Sequence, residues 1–294
     1  MTTLQINGQT YFCPCDWSEL KWSQFIALKR FDPCAETLSR IKNNNLQKTN
    51  ASKENEQLHE DTCVEKEAEL LSLFCGIDPD IALRIDPADR KRFVACLIRR
   101  FITPLRKVLS PNESNVCDND TLIPDSMVPE GYEFRCGDES LHLPKSERTF
   151  EGASLPLCDV SAVQWCEATD LYLVDKWEYA PLIAAVLCKG DESGYIERIV
   201  KGRAELMRDL YMDIIAALFV ALNETHRKMT DLYPECYTKK SNTSCPSENT
   251  SDFSWNELLL WAGHFKADEI ERVRSMNCYD FMALVNGRIK SGNC

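Results

Sequence analysis

The sequence lacks the short patterns that mark the commonest soluble enzymes. Its 294 residues contain no Gly-x-x-x-x-Gly-Lys-Ser/Thr, Gly-x-Gly-x-x-Gly, Gly-x-Ser-x-Gly or His-Glu-x-x-His. The phosphate-binding loop, the dinucleotide turn, the hydrolase elbow and the zincin helix therefore have no local signature. Histidine is scarce, with four residues scattered along the chain. We expect no catalytic residue, no metal site and no cofactor.

Long hydrophobic runs and an excess of positive charge are also missing. The longest apolar run, from Ile214 to Leu222, has nine residues, less than half of the roughly 20 that cross a bilayer. The first six residues have neither the basic nor the apolar region of a secretory signal. Lysine and arginine total 34 against 46 acidic residues, a net charge of -12, which disfavours nucleic-acid binding. These features predict a cytoplasmic protein without a membrane or nucleic-acid partner.

Cysteine, by contrast, is plentiful. The chain has 15 cysteines, which is an odd number. Their share of the sequence lies below the roughly 8 to 10% that is typical of a disulfide scaffold. Without an export signal, reduced thiols are the default expectation. Cys136, His142 and Cys158 could form a metal or enzyme site if folding brought them together, although their spacing fits no familiar zinc motif. A metalloprotein or enzyme built on such dispersed residues is the alternative function.

The periodicity of apolar residues predicts a mainly α protein, a multi-helix bundle with a short N-terminal β-hairpin and a small irregular or β insertion. Two polar stretches with little apolar content are expected to be flexible linkers. The predicted organisation is an N-terminal hairpin with helices (1–42), a linker (43–63), a helical unit (64–108), an irregular/β region (109–157), a central helical core (158–237), a second linker (238–252) and a C-terminal helical segment (253–294).

Local signals fix several elements of the N-terminal part. Asn7-Gly8 predicts a two-residue hairpin turn, and Asp16 is expected to cap a helix that runs through Phe31. A second short helix is predicted after Pro33. Asp78-Pro79 and Asp86-Pro87 each read as an N-cap followed by proline at the first helical position.

In the central part, Gly137-Asp138 predicts the turn of a small hairpin. Asp159 is expected to open a helix, and Pro181 to start or kink the next one. A stripe of apolar residues predicts one long core helix from Ala204 to Asn223.

Three short helices are predicted at the C-terminus, with Ser254 and Asn277 as caps. Such short helices have little core of their own in which to bury large rings. The aromatic residues there are expected either to pack onto the body of the protein or to bind a partner. We assign the partner-binding role to five residues: Trp255, Leu259, Trp261, Phe265 and Phe281.

Three segments carry a resemblance to a known family. Residues 11–20 (YFCPCDWSEL), residues 70–78 (LLSLFCGID) and the Arg-x-Met-x-x-x-Asp-Phe pattern at 274–281 resemble small helical accessory proteins encoded among tailed-phage structural genes, in particular tail assembly chaperones. The resemblance implies a non-enzymatic protein that holds aggregation-prone virion components, especially the long tape measure helices, in the host cytoplasm. It leaves a structural virion subunit or a bacterial adaptor open, and a nucleic-acid mimic is a third possibility.

Overall fold

The computed structural model describes residues 2–6, 8–30, 53–102, 128–146, 149–150, 153–190, 196–237 and 254–291. The chain divides into two compact units, Met1–Pro124 and Asp125–Cys294. Helices dominate the described residues, and the strands form small two-stranded sheets. The predicted fold class, mainly α with a short N-terminal hairpin, is confirmed.

The first unit begins with an antiparallel hairpin and continues with helices. Its elements are β1 (Thr2–Ile6), β2 (Gln9–Cys13), a 3₁₀ turn (Trp17–Glu19), α1 (Trp22–Arg30), α2 (Lys53–Cys75), α3 (Pro79–Leu83), α4 (Pro87–Leu97) and a π-helical turn (Ile98–Ile102). Ile6 pairs with Gln9 across the predicted two-residue turn, where Gly8 adopts a φ of 80° that favours glycine.

The predicted caps of the three-helix unit are present. The side chain of Asp78 accepts a hydrogen bond from the backbone N–H of Asp80 at 2.9 Å, and that of Asp86 accepts one from Ala88 at 2.8 Å. Pro79 begins the helix that follows the first of these caps. Both proline-initiated helices were predictable because each cap is a local contact.

Two predictions for this unit differ from the structure. Asp16 caps only the short 3₁₀ turn, and helix α1 begins later, at Trp22. The linker predicted over 43–63 is helical from Lys53 onward, within α2, because its many glutamate, glutamine and lysine residues favour helix even without apolar neighbours. Residues 43–52 and the helix predicted after Pro33 lie outside the described residues.

The core of the first unit is aromatic and aliphatic, and a disulfide closes it. Phe25 of α1, Phe74 of α2 and Phe101 are buried, and the rings of Phe74 and Phe101 lie 6.2 Å apart. Cys13 of β2 is bonded to Cys75 at the end of α2. The expectation of reduced thiols is therefore wrong for this pair, whose separation of 62 residues gave no local signal.

The second unit contains two hairpins followed by seven helices among its described residues. Its elements are β3 (Glu133–Cys136), β4 (Glu139–His142), β5 (Thr149–Phe150), β6 (Ala153–Ser154), α5 (Ala162–Asp175), α6 (Ala180–Leu187), α7 (Glu197–Leu206), a 3₁₀ turn (Met207–Asp209), α8 (Met212–Leu232), a 3₁₀ turn (Pro234–Cys236), α9 (Trp255–Ala262), α10 (Ala267–Ser275) and α11 (Cys278–Lys290). The predicted hairpin around Gly137-Asp138 and the three C-terminal helices are all present.

Two helix boundaries in the second unit differ from prediction. Ser161, rather than Asp159, is the N-cap of α5, and its backbone N–H donates to the side chain of Gln164 at 3.2 Å. The single helix predicted over 204–223 is divided, because the chain adopts an extended conformation at Leu210. Helix α8 then starts at Met212. The apolar period continues across the break, so periodicity alone did not reveal it.

The core of the second unit is built around α5, α6 and α8. Trp165, Ile183 and Phe219 are fully buried. The 3₁₀ turn Pro234–Cys236 packs against α11 at the end of the chain. None of the helices in the described ranges is long and apolar enough to cross a membrane. The second linker, predicted over 238–252, lies outside the described residues.

Candidate functional site

The C-terminal helical segment forms part of the core of the second unit. Trp255 is only 7% exposed, and its ring lies edge-on to that of Trp165, with 4.8 Å between centroids. Leu259 and Phe281 are buried as well. The assignment of Trp255, Leu259 and Phe281 to partner binding is therefore wrong, because these side chains are covered by the chain's own helices.

One carboxylate fixes the start of this segment. Asp170 of α5 accepts hydrogen bonds from the Ser254 hydroxyl at 2.6 Å, from the Trp255 backbone N–H at 2.8 Å and from the Asn256 side-chain amide at 2.9 Å. A carboxylate at this end of α9 also meets the positive end of the helix dipole. No local pattern pointed to Asp170, which lies 85 residues before Trp255.

A histidine completes the same junction. The ring of His226 of α8 lies beside both indole rings, 5.3 Å from Trp165 and 6.2 Å from Trp255, and its Nε2 is 3.3 Å from the Thr169 hydroxyl. Burial lowers the pKa of His226 to about 4, so the ring is neutral at physiological pH. His226 is therefore a residue of the core of the second unit.

The turn between α9 and α10 presents apolar side chains to solvent. Phe265 is 72% exposed and Leu260 is 41% exposed, and the Phe265 N–H donates to the Leu260 carbonyl at 3.0 Å. Trp261 is half-buried, and the guanidinium of Arg288 lies 6.0 Å from the centre of its ring. Of the five predicted partner-binding residues, Phe265 and Trp261 thus remain accessible.

The backbone of this turn is unusual for the residues that form it. The pattern of hydrogen bonds is that of a Schellman motif, in which glycine normally takes the left-handed position after the helix. Here His264 and Phe265 have φ values of 51° and 55°. The glycine lies one residue earlier, because a Cβ at Gly263 would come within 2.5 Å of the Ile270 side chain. The two left-handed residues therefore strain the backbone of the turn, a strain that glycine would avoid because it has no Cβ.

A groove of about 360 Å³ lies elsewhere in the second unit. Helix α7 lines it with the apolar side chains of Ile199 and Val200, and α10 lines it with Glu271 and Arg274. The start of α5 and the end of α6 also contribute to its lining. Its lining is thus mixed, with apolar and charged side chains in similar measure.

The charges around this groove are already paired. Lys189 contacts the Asp159 carboxylate at 3.2 Å, the buried Arg203 contacts Glu139 at 2.5 Å, and Arg274 lies 3.8 Å from Glu271. Ion pairs that satisfy each other leave little attraction for an added anion or cation. The groove therefore offers shape and apolar surface, and less electrostatic selectivity.

The cysteines near the groove are not activated nucleophiles. Burial raises the pKa of the Cys188 thiol far above its usual value, and burial followed by the nearby Glu139 carboxylate raises that of Cys136. A thiol with a raised pKa is protonated at neutral pH and reacts poorly.

The dispersed Cys/His site proposed as an alternative is not assembled. His142 forms a backbone bridge with Lys189, and the Cys158 thiol donates to the Lys145 carbonyl. In the described ranges, no group of three or more histidine, cysteine, aspartate or glutamate side chains could hold a metal ion. Cys136, His142 and Cys158 are therefore not gathered around a common point.

No family model, curated protein or solved structure matches the chain. The resemblance to tail assembly chaperones consequently stays a prediction from the three sequence segments that carry it.

Proposed function

We propose that this protein works by binding another polypeptide and is a non-enzymatic assembly factor of the tail assembly chaperone kind, or an accessory virion protein of a tailed phage or prophage. The observation that carries the proposal is the α9–α10 corner, defined here as Leu260, Trp261 and Phe265. This corner holds a large apolar side chain in solvent on a strained turn.

The corner departs from what stability alone favours. A left-handed conformation at a residue other than glycine costs about 1 to 2 kcal/mol, and His264 and Phe265 both adopt it. In a Schellman motif the side chain after the turn commonly packs on the preceding helix. Phe265 and Leu260 nevertheless keep 72% and 41% of their surfaces exposed. Strain and apolar exposure at one place support a binding role.

The charge of the chain fits such a role. A net charge of -12 keeps a protein soluble while it carries an apolar partner, because like-charged complexes repel each other. The buried thiols and the neutral His226 favour binding over catalysis, since neither is prepared for proton or group transfer at neutral pH. The partner is expected to be a helical polypeptide with an exposed apolar stripe.

The test is co-expression of the tagged chain with the structural proteins encoded beside it, followed by affinity purification. Phe265→Ala is expected to reduce the amount of co-purified partner at least about tenfold, which corresponds to about 1.4 kcal/mol. Leu206→Ala is the matched control, because Leu206 is an apolar residue of the same unit with 54% exposure. It should retain the partner at the level of the unmodified chain.

Both variants are first compared with the unmodified chain by circular dichroism and thermal unfolding, since neither side chain contributes to the core. Equal retention by Phe265→Ala and Leu206→Ala would remove the corner from the account. Failure of the unmodified chain to retain any of the neighbouring structural proteins would contradict the assembly role itself.

A further inference from the structure

The hairpin β1–β2 of the first unit leaves backbone groups directed away from its own sheet. Ile6 and Gln9 form the pair beside the two-residue turn. In such a hairpin, that pair exchanges two hydrogen bonds and the next pair exchanges none, in alternation along the strands. The N–H and C=O groups of Thr3 and Gln5 therefore point outward from β1.

No described part of the chain takes up these outward groups. The strands β1 and β2 form a sheet of two strands only, and the described residues make no hydrogen bond to the backbone of Thr3 or Gln5 beyond the hairpin. Both side chains are exposed. Among the described residues, the β1 edge, defined as residues Thr2–Ile6, therefore has no strand other than β2 beside it.

The hairpin is anchored to the body of its unit through β2. Cys13 of β2 is covalently joined to Cys75 of α2, and the strand packs against that helix. The strand β1 therefore keeps a fixed place in the unit through its partner β2.

The composition of the hairpin makes the edge receptive to another strand. Proteins protect exposed edges with charged side chains, proline or bulges, but Thr2–Ile6 has none of these, and the chain carries no charged side chain between Met1 and Cys15. In this chain as a whole, by contrast, 27% of residues are charged. Thr and Ile also favour strand conformation.

We propose that the β1 edge is a strand-addition site and that its occupant is the β1 edge of a second copy of this chain. An antiparallel arrangement with Leu4 opposite Leu4 of the second copy places Thr3 opposite Gln5. These two residues carry the outward groups, so the two copies exchange about four backbone hydrogen bonds.

Two features favour a second copy as the occupant. The pairing is self-complementary about a two-fold axis, as an isologous dimer requires. It brings no like charges together, although each chain has a net charge of -12. An interface of this size gives a weak dimer.

The test is sedimentation velocity of the full chain from about 1 µM to about 1 mM, a range that spans weak dissociation constants. The mass is expected to rise with concentration from 33.6 kDa towards that of a dimer. Non-reducing gels run in parallel exclude covalent dimers formed through the free cysteines.

Two double variants test the register. Thr3→Lys with Gln5→Lys places lysine opposite lysine at both paired positions, which is destabilising, and should leave the chain monomeric throughout. Thr3→Lys with Gln5→Glu places opposite charges there and should restore the dimer. Thr10→Lys on β2 is the matched control for adding charge to the same hairpin, and it should leave dimerisation unchanged.

Thr3→Pro provides an arm that changes no charge. Its missing N–H is not used within the hairpin, and proline is tolerated at such an edge position, so the monomer folds while dimerisation weakens at least about tenfold. A chain that is monomeric at every concentration overturns the proposal. So does a Thr3→Lys/Gln5→Lys variant that dimerises like the unmodified chain, or a Thr3→Lys/Gln5→Glu variant that stays monomeric. Phe265→Ala should dimerise normally, which separates this result from that of the proposed function.

Discussion

The two units use the same amide contact to join the start of one helix to the end of another. In the first unit, Gln24 accepts from the Lys21 N–H at 2.9 Å and donates to the Leu73 carbonyl at 3.0 Å, in the last turn of α2. In the second unit, Gln164 accepts from the Ser161 N–H and donates to the Val186 carbonyl at 2.7 Å, in the last turn of α6. The glutamine at the third helical position thus serves both helices.

The units differ in what reinforces this contact. The first unit has a covalent bond, because the disulfide joins β2 to the end of α2 just beyond the glutamine's acceptor. The second unit has a third piece of chain: the Ala162 N–H donates to the Met276 carbonyl at 2.7 Å, and the Cys278 N–H donates to Val160 at 3.1 Å. The C-terminal segment is therefore a structural part of the second unit and not a tethered arm.

The helix ends differ in a second way. Helix α2 is followed by Gly76, with φ of 63°, which is the usual residue for a left-handed end. Helix α9 is followed by His264 in a similar conformation, with φ of 51°. The first unit avoids the strain and the second accepts it, next to the exposed Phe265. Leu157 of the second unit also has a positive φ, 53°, but it is buried, whereas at the proposed binding corner the left-handed residues lie beside exposed apolar surface.

The largest expected effect concerns the covalent bond. Replacing Cys13 and Cys75 by serine removes a cross-link that spans 62 residues, which should lower the free energy of unfolding of the first unit by about 4 kcal/mol. Peptide-resolved hydrogen exchange checks this, with faster exchange expected in α2 and unchanged exchange in α5. Equal acceleration in both units would mean that the bond does not act on the first unit alone.

The next effect is a pH dependence specific to the second unit. The pKa of His226 is about 4 in the folded chain against 6.5 when exposed, so the unfolded chain takes up a proton first as the pH falls. Stability is retained above pH 6.5 and decreases by about 3 kcal/mol between pH 6.5 and pH 4. Denaturant unfolding at a series of pH values measures this decrease in the free energy of unfolding. The His226→Gln variant should lose most of the decrease between pH 6.5 and pH 4. A His226→Gln profile parallel to that of the unmodified chain would contradict the assignment.

A smaller effect compares the two glutamines directly. Gln164→Met keeps the side-chain volume but leaves the buried Val186 carbonyl and Ser161 N–H without their partner, at a cost of about 2 to 3 kcal/mol. Gln24→Met should cost about 1 kcal/mol, because Gln24 is only half-buried and water can replace its contacts. Chemical denaturation of the two variants measures both costs. A larger cost for Gln24→Met than for Gln164→Met would contradict the argument from burial.

The smallest effect tests the strain at the helix ends. His264→Gly should stabilise the second unit by about 1 kcal/mol, and Gly76→Ala should destabilise the first by a similar amount. A Cβ at Gly76 would meet no atom of the described residues within 4 Å, so we assign the second change to backbone strain. Thermal unfolding measures both. A neutral or destabilising His264→Gly would show that the corner carries no stored strain.

Local chemistry explains which features were predictable from the sequence. The caps at Ser254 and Asn277, the proline starts and the hairpin turns depend on residues within a few positions of each other, and all of them are present. The burial of Trp255 depends on Asp170 and Trp165, which lie far away in the sequence. No local pattern distinguishes an aromatic residue that meets such partners from one that stays exposed.

Two other errors have physical causes of their own. The break at Leu210 lies within a continuous apolar stripe, so the period of the sequence gives no sign that one helix ends there and another begins at Met212. Residues 53–63 contain few apolar residues, and this composition indicated a linker although glutamate and lysine are good helix formers. The left-handed turn at His264 has no sequence signature, because its residue there is not glycine.

The most direct test of a polypeptide-binding corner is photo-crosslinking from position 265 itself. Phe265→p-benzoylphenylalanine, in a chain co-expressed with the neighbouring structural proteins, should form a covalent adduct with one of them on irradiation, and the same probe at Leu206 should not. Mass spectrometry identifies the adduct and the site. The account predicts a cross-link confined to position 265, and equal cross-linking at both positions, or none at 265, would contradict it.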